Sequence, residues 1–126
     1  KITVNYDISP EVKEYTIIKH ILQPVVENAL MHGLGSIDEG GVLWIRAYKK
    51  SESLYFEIID NGIGMDPEKQ KRLLSEPTGM KEGYGLYNVQ RRIQVYYGME
   101  YGVHIDSRPQ HGTKVTLQIP AVREKS

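Results

Sequence analysis

Residues 60–65 read DNGIGM and directly follow the run LYFEII at residues 54–59. The run has the apolar and aromatic composition of a strand, and Asp-Asn-Gly is a strong turn signal because glycine adopts positive φ without steric cost. A plain turn is the ordinary interpretation. However, the Asp60 carboxylate is an acceptor-only group suited to an exocyclic amine such as that of adenine. Flanking glycines would also let a planar ring lie close to the backbone.

Composition restricts the classes of function that the chain can have. The 126 residues suffice for one compact domain, which we take as residues 1–126. Sixteen basic and sixteen acidic residues cancel, so no overall field attracts nucleic acid or an anionic membrane. The absence of cysteine excludes disulfides and a cysteine nucleophile. No apolar run approaches the ~20 residues of a membrane span, and the chain, which lacks a starting Met, is expected to be a fragment of a longer protein.

Hydrophobic periodicity predicts an alternation of strands and helices. Strands are predicted at residues 2–6, 42–48, 54–59, 103–107 and 114–119, and helices at about 17–34, 67–74 and 86–97. Within the first helix, Pro24 should cause a kink or begin a new first turn, and Gly33 and Gly35 should end it. The pattern indicates an α/β two-layer sandwich, with a mixed β-sheet packed against about three helices.

The first helix carries a polar strip within QPVVENALMHG at residues 23–33. Asn28 and His32 are four residues apart and share one edge, and Gln23 and Glu27 share a neighbouring edge. A solvated helix face is an equally consistent interpretation. A carboxamide oxygen is also a good Mg²⁺ ligand, so Asn28 is a candidate for metal binding. His32 could cap the helix, contact a phosphate or simply be exposed.

A second glycine-rich segment, GYGLYNV at residues 83–89, opens the third helix. Paired glycines at a helix start, here Gly83 and Gly85, form a potential anion site because free N–H groups point outward. The segment is not the dinucleotide-binding fingerprint, since the third glycine position holds Asn88. On its own, this motif is weak evidence.

Taken together and in this order, the motifs resemble those of the ATP-binding catalytic domain of sensor histidine kinases. This domain has the Bergerat fold of the gyrase/Hsp90/histidine-kinase/MutL ATPase superfamily. LQPVVENALMHG is similar to the N box of LytS/YesM-type kinases, DNGIGM to the G1 box, GYGLYNVQRRI to the G2 box, and HGTKVTLQIP to the terminal Gly-Thr motif. The resemblance covers residues 18–120, nearly the whole chain.

The resemblance implies ATP and Mg²⁺ as cofactors and assigns roles to individual residues. Asp60 would accept a hydrogen bond from the adenine amine, with Thr113 beside it, and Asn28 would hold Mg²⁺. Residues 75–82 would form part of a mobile lid. The other residues implied in ATP binding are His32, Gly62, Gly64, Met65, Lys81, Gly83, Gly85, Leu86 and Arg92. For Lys81, Arg91 and Arg92 the implied role is phosphate charge, with Arg92 best matched to the family pattern, although a solvated helix face explains each arginine equally well.

Two departures from the family pattern affect the expected chemistry. Met31 stands where many relatives carry lysine, and no separate F box can be assigned. The superfamily's hydrolases place a glutamate four residues before the metal asparagine, where this chain has Pro24. That difference favours a kinase over an ATPase, with the neighbouring Glu27 as a candidate catalytic base toward the acceptor.

The resemblance further implies transfer of the γ-phosphoryl group to a histidine on an N-terminal dimerisation domain, in two-component signal transduction. The full-length protein would be a homodimeric membrane sensor with a cognate response regulator, and this chain would be its cytoplasmic part, without direct contact to membrane or nucleic acid. None of the four histidines lies in an acceptor helix, so the isolated chain should not label itself. We also expect residues 66–82 to be mobile and to tighten with ATP. The alternatives are an anti-sigma-type serine kinase and a nucleotide-gated interaction module.

Overall fold

A five-stranded mixed sheet forms one layer of the molecule, with strand order β1-β2-β3-β5-β4. This computed structural model describes residues 2–15, 21–35, 39–75 and 85–122, with the His32 side chain left out. β1 is parallel to β2, and the other neighbouring pairs are antiparallel. The strands are β1 (Ile2–Ile8), β2 (Gly41–Lys50), β3 (Ser53–Asp60), β4 (Gly102–Ser107) and β5 (Thr113–Pro120).

Three helices form the other layer: α1 (Leu22–Asn28), α2 (Pro67–Leu73) and α3 (Gly85–Tyr97). α1 continues into a π-helical turn (Ala29–Gly33), and a short 3₁₀ turn (Pro10–Glu14) follows β1. At the start of α2 the Asp66 carboxylate accepts the Lys69 N–H at 2.8 Å, which satisfies one of the free donors of the first turn. None of the described helices is long and apolar enough to cross a bilayer.

The hydrophobic core lies between the helices and one face of the sheet. Strand alternation creates that face: in β5, Val115, Leu117 and Ile119 are buried while the intervening side chains are half-exposed. α3 contributes its buried stripe of Leu86, Val89 and Ile93. The predicted two-layer α/β sandwich with a mixed sheet is therefore confirmed.

The structure refines three local predictions. Pro24 stands in the first turn of α1, as one alternative required, although residues 16–20 of the predicted helix lie outside the described residues. Gly33 does not end the helix through positive φ. Instead, a Cβ there would lie 2.5 Å from Asp60 Oδ2, so close approach requires the glycine. β1, at one edge of the sheet, is a strand, but its residues are exposed rather than half-buried.

Candidate nucleotide site

Three polar side chains lie side by side at one end of the helix-facing surface of the sheet. Asp60 of β3 is paired in register with Thr113 of β5, and Thr113 with Ser107 of β4. Asp60 and Thr113 are 4% and 7% exposed, and Ser107 is half-buried, so the row lies next to the apolar core. The next row inward consists of Ile58, Val115 and Ile105. The polar row therefore marks the end of the core.

Asp60 is a buried carboxylate held by backbone groups. Its Oδ1 accepts the Gly62 N–H at 2.8 Å, and the Thr113 N–H also donates to the carboxylate. Burial raises the pKa of Asp60 above its ordinary value, although these two hydrogen bonds oppose the rise. Among the described residues, no basic side chain forms an ion pair with it. The arrangement suits an uncharged donor such as an amine.

The glycines of DNGIGM allow two segments to approach closely. A Cβ on Gly62 would overlap the Gly33 carbonyl oxygen, and one on Gly64, whose φ is +70°, would overlap the Arg108 carbonyl oxygen. The Ile63 N–H donates to the same Gly33 oxygen at 3.1 Å. The turn interpretation is thus correct at the level of the backbone. The turn also wraps the end of the π-helical turn and brings Asp60 against it.

Asn61 links the loop to the start of β2. Its Oδ1 accepts the Val42 N–H at 2.8 Å, and its Nδ2 donates to the Gly40 carbonyl at 2.9 Å. Because both ends of the carboxamide are used, Asn61 fixes the backbone next to Asp60. The asparagine of DNGIGM is therefore a structural residue.

A small cavity brings together five of the residues that were predicted to bind ATP. Asn28, Asp60, Gly64, Met65 and Thr113 line it, together with Ala29, Gly33 and Val115. The enclosed space is about 10 Å³, room for about one water molecule. The cavity can therefore serve as the floor of a site, with a purine lying across its mouth.

Other predicted site residues lie apart from this cavity. Glu27 is exposed and accepts a hydrogen bond from Gln23 Nε2 at 3.0 Å, which pairs the two residues of its helix edge. Arg92 lines a separate groove on the outer face of α3 with Arg91, Val95 and Tyr96. The Leu86 side chain is fully buried in the core, which leaves only its backbone N–H for a ligand.

The start of α3 lies against α1. A Cβ on Gly85 would meet the Pro24 Cβ at 3.6 Å, an ordinary van der Waals distance. Packing alone therefore does not require glycine at this position. The predicted phosphate residues Lys81 and Gly83, the His32 side chain and all of the predicted lid except Ser75 lie outside the described residues.

Two residues that hold the site together, Ser107 and Gln70, were not predicted from the sequence, and Gly112 of the Gly-Thr motif has a role that the motif did not specify. Ser107 Oγ lies 2.8 Å from Thr113 Oγ1 and accepts the Met65 N–H at 2.9 Å. Gln70 Nε2 donates to the carbonyls of Met65 and Ser107 at 3.0 and 2.9 Å. Gly112 has φ +77° and leaves no space for a Cβ beside the Asp60 carbonyl. One signal was available, since Ser107 is polar where strand alternation calls for an apolar residue.

A larger groove of about 550 Å³ lies elsewhere, along the β4 edge of the sheet. Its polar lining includes Tyr55, Gln90, His104 and Lys114, and these side chains are half-buried or exposed. Size alone favours this groove, but a wide surface depression with solvated walls offers little to orient a ligand. We favour the smaller cavity because it contains the buried carboxylate.

Fold and site together place the molecule among ATP-binding domains of a known class. The chain belongs to the family described as histidine kinase-, DNA gyrase B-, and HSP90-like ATPase, which matches residues 14–123. It is 37% identical over 118 residues to the sensor histidine kinase YesM of Bacillus subtilis. It is 30% identical over 127 residues to the sensor protein LytS of the same species. These alignments cover 94% and 99% of this chain but 19% and 21% of the relatives, so the chain spans about a fifth of their length.

Solved structures show the same fold. The nucleotide-free catalytic domain of the histidine kinase ThkA aligns with a TM-score of 0.72 and 16% identity, covering 98% of this chain and 82% of that one. The mycobacterial sensor histidine kinase MprB aligns with a TM-score of 0.69 and 18% identity, covering 98% and 84%. The expected resemblance to the catalytic domains of LytS/YesM-type sensor kinases is confirmed.

Proposed function

We propose that this domain binds ATP with Mg²⁺ and donates the γ-phosphoryl group to a histidine on a separate dimerisation domain. The observation that carries the proposal is the buried Asp60 carboxylate, which lies beside Thr113 at the floor of a glycine-walled cavity. A buried acceptor without a cation favours a neutral donor such as the adenine amine. Family membership and the sensor kinase relatives support the same assignment.

For Mg²⁺ the available protein ligand is a carboxamide. The part of the chain that the structure describes contains no cluster of three acidic or histidine side chains able to hold a metal by itself. Asn28 lines the cavity and is half-exposed, so its oxygen could reach a metal carried by the phosphates. This fits Mg²⁺, which often takes one or two protein oxygens and completes its shell with phosphate and water. Bound there, it would neutralise charge on the phosphates.

Transfer is favoured over hydrolysis by the residues of α1. Phosphoryl transfer depends mainly on positioning and charge neutralisation, whereas hydrolysis also needs a residue that orients water. Pro24, one turn before Asn28, packs beside the start of α3 and offers no acid. Glu27 is exposed, where a base acting on an incoming acceptor would have to be. The acceptor domain, a response regulator and a cytoplasmic position beneath a membrane sensor belong to this proposal.

Titration of ADP into the domain by calorimetry tests the binding step. We expect the Asp60→Asn variant to bind at least tenfold more weakly, because its amide can present a donor to the adenine amine and mismatches of this kind cost roughly 1–3 kcal/mol. Asp106→Asn is the matched control, since it removes the same charge from an exposed residue next to Ser107. Equal affinity of the parent and Asp60→Asn would refute the adenine assignment.

A further inference from the structure

The Ser107 hydroxyl lies at the centre of three hydrogen bonds. Its oxygen is 2.9 Å from the Met65 backbone nitrogen, 2.8 Å from the Gly112 carbonyl oxygen and 2.8 Å from Thr113 Oγ1. The first partner can only donate a proton and the second can only accept one. The third is a hydroxyl, which can do either.

A count of protons settles the direction of the third bond. Ser107 has one hydroxyl proton, and all three contacts can be hydrogen bonds only if the Gly112 carbonyl, which has no proton of its own to offer, receives it. The contact with Thr113 is then satisfied only if the Thr113 hydroxyl donates to Ser107 Oγ. With its proton directed toward Ser107, Thr113 Oγ1 has only lone pairs left for the cavity. Asp60, the cross-strand neighbour of Thr113 in the same lining, is also an acceptor.

We propose that Ser107 is a positioning residue that keeps Thr113, like its neighbour Asp60, an acceptor toward the cavity, so that this pair selects a 6-amino purine over a 6-oxo purine. The inference rests on the proposed nucleotide site and adds the reason for its base selectivity. An amine at the purine 6 position can donate to Thr113 and Asp60, whereas a carbonyl oxygen there would face acceptors. A ligand that leaves a buried polar group of the site without a hydrogen-bond partner binds much more weakly than one that pairs it.

The selectivity does not depend on direct contact with the base. The cavity has room for about one water molecule. A water that donates both protons to Asp60 and Thr113 presents its lone pairs to the base, and therefore also prefers an amine. If Thr113 could rotate and donate, this water could turn a proton outward and accept a 6-oxo purine. The orientation that Ser107 imposes thus acts in the same direction in both cases.

The test compares ADP with inosine diphosphate, which has oxygen in place of the amine at the purine 6 position and a proton on N1. Calorimetry on the parent domain should show a clear preference for ADP. For Ser107→Ala we expect the ratio of the two affinities to fall about tenfold, because the freed Thr113 hydroxyl can donate to the 6-oxo group. Ser107→Thr keeps the hydroxyl and should keep the ratio.

Two further variants separate selectivity from general damage. In a Thr113→Val background, Ser107→Ala should leave the ratio unchanged, because the hydroxyl through which Ser107 acts is gone. Gln70→Ala removes the hydrogen bonds to the Met65 and Ser107 carbonyls but leaves the hydroxyl chain intact. It should therefore change both affinities by the same factor.

The outcomes distinguish this inference from the proposed function. If the parent binds neither nucleotide, both fail. If the parent prefers ADP and Ser107→Ala weakens both nucleotides equally, only the role of Ser107 is refuted. Should Ser107→Ala not fold, Ser107→Cys retains a weaker donor and acceptor. A smaller fall in the ratio supports the inference, and an unchanged ratio overturns it.

Discussion

At the scale of single residues, two buried carboxylates have opposite surroundings. Glu57, 6% exposed, accepts from Arg46 at 3.2 Å and from the Tyr48 hydroxyl at 2.8 Å. Burial and this neighbouring acid raise the pKa of Tyr48. Among the described residues, Asp60 receives the backbone donors of Gly62 and Thr113 and no side-chain donor. Glu57 is therefore satisfied by its fold partners, whereas Asp60 retains acceptor capacity for a ligand.

The raised pKa of Asp60 predicts a pH dependence of stability. Because the folded-state pKa lies above the unfolded one, Asp60 stabilises the fold below the unfolded pKa. That contribution is lost as the pH rises through the folded pKa. We therefore expect the free energy of unfolding of the ligand-free parent, relative to Asp60→Asn, to fall as the pH rises from about 3.9. Denaturant titrations of both proteins over a pH series measure this difference, and a constant difference would contradict the prediction.

The metal assignment gives a second prediction at a single residue. Asn28→Ala should lower affinity for ATP with Mg²⁺ by at least tenfold but change affinity for metal-free ATP little, because the carboxamide acts through the metal. Gln23→Ala is the matched control: it removes a carboxamide from the same helix, on the edge paired with Glu27. Titrations of ATP into the parent and both variants, with Mg²⁺ and with a chelator, measure these affinities. Equal losses under both conditions would make Asn28 a structural residue.

At the scale of elements, periodicity predicted most of the fold and part of the site. It identified the strands and helices, whereas the family resemblance grouped Asp60, Thr113 and Asn28. Neither predicted the hydrogen bonds of Ser107 or the close approach of Gly33 to Asp60, because these depend on cross-strand register and on where the end of a helix lies. Neither distance can be read from local sequence. Sequence patterns therefore predicted residues that line the cavity more readily than the residues that hydrogen-bond or pack against them.

The start of α3 is the element that should approach the phosphates. In Gly85→Ala the new Cβ meets Pro24 at an ordinary distance, and alanine favours a helix over glycine by up to about 1 kcal/mol. We expect thermal stability to be kept or slightly raised, while ATP affinity falls and adenosine affinity is kept. Thermal unfolding and titrations with both ligands measure this. Unchanged ATP affinity would remove Gly85 from the phosphate site.

At the scale of the whole molecule, the main prediction is that this domain binds ATP and that a separate domain accepts the phosphate. The chain spans about a fifth of the length of its YesM and LytS relatives, and the proposed function assigns the histidine acceptor to a separate domain. Incubation of the isolated domain with γ-labelled ATP should leave it unlabelled. Adding the helical dimerisation domain of the same protein should produce acid-labile phosphate on that domain, and Asp60→Asn should prevent it. Acid-labile label on the isolated chain would show that the assignment is wrong.

The pairing of β3 with β5 also has a consequence for folding. The hairpin of β2 and β3 closes through two residues, Ser51 and Glu52, whereas Asp60 meets Thr113 only after the chain has passed through α2, α3 and β4. Contacts between residues so distant in sequence form slowly, because the entropy of closing the intervening loop must first be overcome. During refolding, secondary structure should therefore recover before nucleotide binding does. Capture of ATP would then report completion of the native topology, and a newly made chain would acquire its ligand only after β5 has joined the sheet.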